Sequence, residues 1–112
     1  MIQSNRTRRA TLRQRRQQTN AQSRIRKNGR ASLATHAIAA GLTPSQARSV
    51  AGSLRKAAAK LGIDGQACTV FKAGRARHGY RYTRSQVAIL AATYKPRKPA
   101  YKVAAARLAL AA

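Results

Sequence analysis

The chain has 112 residues, of which 24 are Lys or Arg and one is acidic, for a formal charge of +23. That length fits one small domain with a tail. Of the 49 apolar residues 25 are alanine, so the larger side chains suffice for one compact helical core and little more. Asp64 is the sole carboxylate side chain and there is no Glu. A carboxylate acid–base pair is therefore excluded, as is a carboxylate-rich Mg²⁺ or Ca²⁺ site. Cys68, His36 and His78 fall short of a four-ligand zinc set, and one cysteine allows no internal disulfide. No catalytic, cofactor-binding or metal-binding residue is assigned, and an enzyme is not expected.

A charge of this size repels itself and favours a polyanion that supplies the missing negative charge. Arg outnumbers Lys by 17 to 7, which suits planar, bidentate contacts to phosphate or guanine. A membrane partner is not expected, because the longest apolar stretches, such as Val87 to Ala92, are far short of a span. The N-terminus has no apolar h-region of a secretory signal. Ile2 to Lys27 shares an organelle presequence's composition but past its first residue has only Leu12 and Ile25 as larger apolar anchors, too few for an apolar helical face.

Residues 1–30 form a basic Arg/Gln-rich arm carrying ten cations: Arg6, Arg8, Arg9, Arg13, Arg15, Arg16, Arg24, Arg26, Lys27 and Arg30. The arm cannot bury enough surface to fold alone, yet its Arg and Gln tolerate a helix once phosphates screen the charge. It reads as an arm that orders along a phosphate backbone, in preference to a solvated tail, and Asn28-Gly29 marks a break.

Residues 31–94 form the expected core. Leu33, Ala37 and Ile38 make a short apolar stripe, and Gly41 is placed to end that helix. Thr43, Pro44 and Gln46 predict a helix start with a capping box. Ala47, Val50, Ala51, Leu54, Ala58 and Leu61 then recur at helical spacing as an inward face. The outward face carries Ser45, Arg48, Ser49, Gly52, Arg55, Lys56 and Lys60, and Gly62 is the stop.

Asp64-Gly65 is a turn signal. Ala67 to Ala73 is β-prone, Gly74 to Gly79 reads as a cationic loop, and Tyr80 to Thr83 is a second β-prone run. Together they predict a hairpin whose tip holds Arg75, Arg77 and His78. Thr83 and Gln86 repeat the capping-box spacing, with Val87, Leu90, Ala91 and Tyr94 on the inner face of the helix that follows. Residues 95–112 comprise a stiff basic linker, Lys95-Pro96-Arg97-Lys98-Pro99, and an alanine-rich helix from Tyr101 to Ala112. Tyr101, Ala105 and Leu108 lie on one side of this helix, with Val103 and Leu110 nearby; it is a candidate for self-association.

Ala37, Gly41, Leu42, Ala47 and Val50 sit at spacings that resemble the helix-turn-helix, and the following hairpin resembles its winged version. The resemblance covers roughly residues 33–82. It implies a mainly α fold: a small winged-helix-like core with a basic N-terminal arm and a C-terminal helix. It also implies that the second helix enters the major groove, with Ser45, Gln46, Arg48 and Ser49 at base-reading positions. Gln46 turned towards Thr43 in the capping box is less available to an adenine edge. Arg55, Lys56 and Lys60 are expected on phosphate, and Arg75 to His78 on neighbouring backbone or minor groove.

Cys68 is expected to be a buried, inert thiol, and His36 a structural or surface residue. His78, among cations, is a poor pH switch. Tyr80 and Tyr82 share a strand face, where packing over the core is favoured over stacking on exposed bases. The expected partner is nucleic acid, duplex DNA before RNA, bound by the arm, helix and wing, with Lys95, Arg97 and Lys98 contributing, in an architectural, condensing or regulatory role. The alternatives are a structural RNA-binding or genome-packaging component of a ribonucleoprotein or nucleocapsid, and a basic factor on an acidic protein surface. Cytoplasm or nucleoid is the default location, a virion interior the alternative.

Overall fold

A computed structural model describes residues 2–72 and 74–110; for residues 2, 3, 70–72, 77 and 78 it describes the backbone only. The elements in chain order are α1 (Ile2–Asn28), β1 (Arg30–Ala31), α2 (Leu33–Ala39), α3 (Pro44–Leu61), β2 (Gln66–Lys72), β3 (Arg75–Thr83), α4 (Arg84–Thr93) and α5 (Pro99–Leu110). The fold is mainly helical, with a small antiparallel sheet in the order β1-β3-β2.

Both expected capping boxes form. Gln46 N–H donates to Thr43 Oγ1 at 3.3 Å and Thr43 N–H donates to Gln46 Oε1 at 3.2 Å. The corresponding distances for Thr83 and Gln86 are 3.2 Å and 2.9 Å. Each box satisfies two donors that a bare helix start leaves open. Thr83 thus ends β3 and caps α4 with no intervening loop, and Gln86 Nε2 also donates to the Asp64 carbonyl at 3.1 Å.

Core packing follows the helical spacing. Ala47, Val50, Ala51, Leu54 and Ala58 of α3 share one buried core with Leu33 and Ala37 of α2, Val87, Leu90 and Ala91 of α4, and Ala104 and Leu108 of α5. Leu61, expected on this face, is 47% exposed because α3 has overrun the core at its last turn. Gly62, at φ +69°, reverses the chain there and sends Ile63 back onto the core in its place. Tyr94 and Tyr101 are half-buried and packed against the core, Ala105 is buried, and Val103 and Leu110 are exposed.

The N-terminal segment, expected to order along a phosphate backbone, is a helix docked on the body. Its 27-residue helix buries Ala21 and Ile25, while Leu12, one of the two expected anchors, is exposed. What docks it is a glutamine stripe at i, i+4 and i+8. Gln14 Nε2 donates to the Gly41 carbonyl at 3.0 Å, and Gln18 and Gln22 each donate to the Ala39 carbonyl at 3.2 Å. Beside them, Arg107 Nη1 of α5 donates to the Ala40 carbonyl at 2.9 Å. The last carbonyls of a helix have no partners within it. Here side chains from two other helices supply them, so the end of α2 is the point around which α1 and α5 assemble. The break at Asn28-Gly29 falls as expected, with Gly29 at φ +72°.

The hairpin also departs from expectation. Residues 75–79, read as a loop, belong to β3 and pair with 68–72, from Cys68↔Gly79 to Lys72↔Arg75. Only residues 73 and 74 separate the strands, with Gly74 at φ +74°. Polar side chains do not interrupt a ladder whose bonds are made by the backbone. Arg75 thus lies beside the turn, and Arg77 and His78 lie within a strand rather than at a loop tip; their side chains fall outside the described residues. Cys68 is half-buried rather than internal, because its strand stands at the sheet edge opposite Gly79. The Tyr101 helix start moves to Pro99, which occupies the first helical position and shortens the linker.

Candidate nucleic-acid interface

The outward face of α3 presents Ser45, Arg48, Ser49, Arg55, Lys56 and Lys60, all exposed. Between them Gly52 has open space where a side chain would stand, so a polyanion can approach the helix backbone closely there. Gln46 is half-buried, and its Oε1 accepts from Thr43 N–H in the capping box, which turns the amide towards the helix start.

Every cation of α1 is exposed: Arg6, Arg8, Arg9, Arg13, Arg15, Arg16, Arg24, Arg26 and Lys27. The buried and glutamine positions (14, 18, 21, 22 and 25) take one side of the helix. Pairs seven residues apart, Arg6/Arg13, Arg8/Arg15 and Arg9/Arg16, take three others, since seven residues make about two turns. Residues 4–13 are exposed throughout, giving about 15 Å of helix at 1.5 Å per residue with cations on several sides. Lys95, Arg97 and Lys98 of the linker are also exposed, and Lys98 Nζ lies 5.5 Å from the Tyr101 ring centroid.

Four guanidinium-bearing residues from separate elements line one groove of about 730 Å³: Arg24 of α1, Arg30 of β1, Arg55 of α3 and Arg81 of β3. The topology makes this groove. β1 pairs with β3 only through Arg30↔Thr83 and Ala31↔Tyr82, so beyond Tyr82 it no longer covers the edge of β3. The notch left there lies between the end of α1, the start of α2, Arg55 and the stretch Gly79 to Tyr82. Arg24, Arg30 and Arg55 were candidates from sequence; Arg81 and Tyr80 are added by the strand register. Tyr80 is 54% exposed whereas Tyr82, two residues on, is buried, so the two tyrosines differ in environment despite the shared strand face.

A second pocket, of about 610 Å³, collects Arg26, Arg84 and Arg107 with Gln18, Gln22 and His36. Arg84 and Arg107 carry no signal in the local sequence, because only packing of α4 and α5 brings them to α1. Arg75 is not among the residues of either recess, nor are Arg48, Lys56 and Lys60. The positive surface therefore has several faces.

His36 is 1% exposed and links α2 to the sheet, its Nε2–H donating to the Tyr82 carbonyl at 2.7 Å. Burial holds its pKa below the ordinary imidazole value of 6.5, against the hydrogen bond to Tyr82, and the charge of Arg84 lowers it further. Burial raises the Tyr82 phenol above 10.0, partly offset by Arg55. Among the described residues no group of three or more His, Cys, Asp or Glu is placed to hold a metal ion, and no helix is long and apolar enough to cross a membrane. No family model, curated protein or solved structure matches the chain.

Proposed function

We propose that this protein is a non-enzymatic nucleic-acid-binding protein that holds duplex DNA by phosphate-dominated contacts through α1, α3 and the β2–β3 hairpin. The observation that carries the reading is the convergence of Arg24, Arg30, Arg55 and Arg81 in one groove of a chain with a single acidic side chain. Such a cluster lacks internal countercharge, and a sugar-phosphate backbone supplies it as phosphates that guanidinium forks bind bidentately. The winged helix-turn-helix reading is supported by the element order: two helices joined at Gly41-Leu42, then directly a hairpin whose second strand pairs back to the strand before the helices. In that reading α3 lies in the major groove with Ser45, Arg48 and Ser49 towards base edges, while Arg55, Lys56 and Lys60 meet phosphate. With cations on every face, positioning contacts outnumber reading contacts and sequence discrimination is modest.

A second reading is a packaging or ribonucleoprotein component. It is favoured by α1, whose cations face several directions and so can touch more than one strand at once. Competition among duplex DNA, single strands and structured RNA at several salt concentrations separates the two. Preference for duplex, weakened by Arg48→Ala, supports the first. Preference for folded RNA, abolished by charge-neutralising changes in α1 and indifferent to Arg48→Ala, supports the second. Binding to an acidic protein with no nucleic-acid affinity would displace both.

A further inference from the structure

We infer that the groove between α1, β1, α3 and β3 accepts one unpaired nucleotide, its base stacked on Tyr80 and its flanking phosphates held by the surrounding arginines. This rests on the nucleic-acid reading above and adds to it the form of nucleic acid that the groove selects.

The argument begins with what Tyr80 lacks. A large aromatic side chain on a small protein is ordinarily covered by its cross-strand neighbour, the Cβ atoms of opposed residues being about 4.5–5.5 Å apart. The residue opposite Tyr80 is Ala67, itself exposed, and the residue before it is Gly79. Neither can cover a phenol ring. Tyr82, on the same strand face, is buried in the core, so the fold has a place for a tyrosine here and leaves Tyr80 out of it. More than half of Tyr80 remains exposed as a result, at 54%.

The groove that Tyr80 lines holds cationic residues beside apolar ones such as Leu33, Ala34 and Tyr82. Arg24, Arg30, Arg55 and Arg81 line the same groove, and its volume of about 730 Å³ falls within the roughly 300–1,000 Å³ of small-ligand sites. An aromatic platform flanked by positive charge is the arrangement that binds unpaired bases: the ring meets the π-face of any base, and the cations follow the backbone. Arginine adds planar stacking and bidentate phosphate contacts of its own. A base inside an intact duplex is stacked on its neighbours and shows only its edges, so it cannot reach Tyr80. A bulge, gap, flap or single strand can. The site is therefore complementary to α3, which suits paired nucleic acid, and a substrate with both features engages both.

Intrinsic fluorescence makes the test direct, because the chain has no Trp and four Tyr, of which Tyr94 and Tyr101 are half-buried and Tyr82 is buried. The full chain is titrated with a perfect duplex, the same duplex carrying one bulged nucleotide, oligo-dT and oligo-rU at fixed salt. The bulged duplex and the single strands should quench tyrosine emission, and the perfect duplex should not. Tyr80→Ala should weaken binding of the bulged duplex by about 5- to 150-fold, the span of base–aromatic stacking, and leave the perfect duplex unchanged. Tyr80→Phe, which keeps the ring, should restore the affinity. Comparison of oligo-dT with oligo-rU shows whether the 2′-hydroxyl contributes. The inference is overturned if Tyr80→Ala binds bulged and perfect duplexes as the native chain does, an outcome that leaves duplex binding itself intact. Failure of the native chain to bind any of the four probes would remove the underlying reading as well.

Discussion

Gly41 tests the assembly of the three helices around the end of α2. Its φ is +106°, and a Cβ added there would stand 2.8 Å from Arg107 Nη1, the atom that donates to the Ala40 carbonyl. Gly41→Ala therefore carries two costs. The positive φ costs a non-glycine residue about 1–3 kcal/mol. Displacing Arg107 forfeits a charge-assisted hydrogen bond, about 1.5–3 kcal/mol where it is well formed and less at an exposed guanidinium. A loss of about 2–4 kcal/mol follows, which for a domain near this size lowers Tm by roughly 10–25 °C. The side chain of Arg107 is flexible, so the second cost disappears if the guanidinium is already absent. Gly41→Ala, Arg107→Ala and the double variant form a cycle to be measured by urea unfolding. The double variant should be less destabilised than the sum of the singles by more than the ~0.5 kcal/mol that independent sites allow. Additivity within that margin, or a Gly41→Ala cost near zero, would refute the geometry.

Replacing Gln14, Gln18 and Gln22 together by Ala removes three bonds of about 1 kcal/mol each and should free α1 from the body; amide exchange should show protection lost in α1 and retained in α3. Thr43→Ala breaks one arm of its capping box and should cost about 1 kcal/mol in urea unfolding. For His36 the folded pKa lies below the unfolded value of 6.5, so between the two the unfolded chain binds the extra proton. Stability should thus be complete above about pH 6.5 and fall as pH drops towards the folded pKa, by about 1.4 kcal/mol per unit of separation. His36→Gln should flatten that dependence in unfolding measured at pH 7.5 and 5.5, and a native chain indifferent to pH over this range would contradict the placement.

What the sequence makes legible is what local chemistry dictates. Thr43-Pro44-Ser45-Gln46 and Thr83-Arg84-Ser85-Gln86 announce their helices because each box is made within four residues, and the alanine, valine and leucine spacing of α3 reads directly as a buried face. The docking of α1 is not legible from hydropathy, since amides at 14, 18 and 22 carry no apolar signal; their regular spacing of four is the clue that was available. β1 has two residues, too few for any pattern, yet its early end opens the groove. Arg81 and Tyr80 enter that groove only through strand register, and Arg107 reaches Ala40 across 67 positions of sequence, beyond any local rule. Polarity misplaced the hairpin turn because cationic side chains on an exposed strand resemble a loop.

The most direct measurement is the salt dependence of duplex binding by the full chain, followed as the logarithm of affinity against the logarithm of salt concentration. Each neutralised phosphate contributes about −0.9 to the slope, so four contacts, one for each arginine of the groove, correspond to about −3.6, and engagement of α1 and α3 steepens it. A steep linear fall of that order, made shallower by about one for Arg55→Ala, is the predicted result. Affinity that is absent at low ionic strength, or that does not change with salt, would contradict the account.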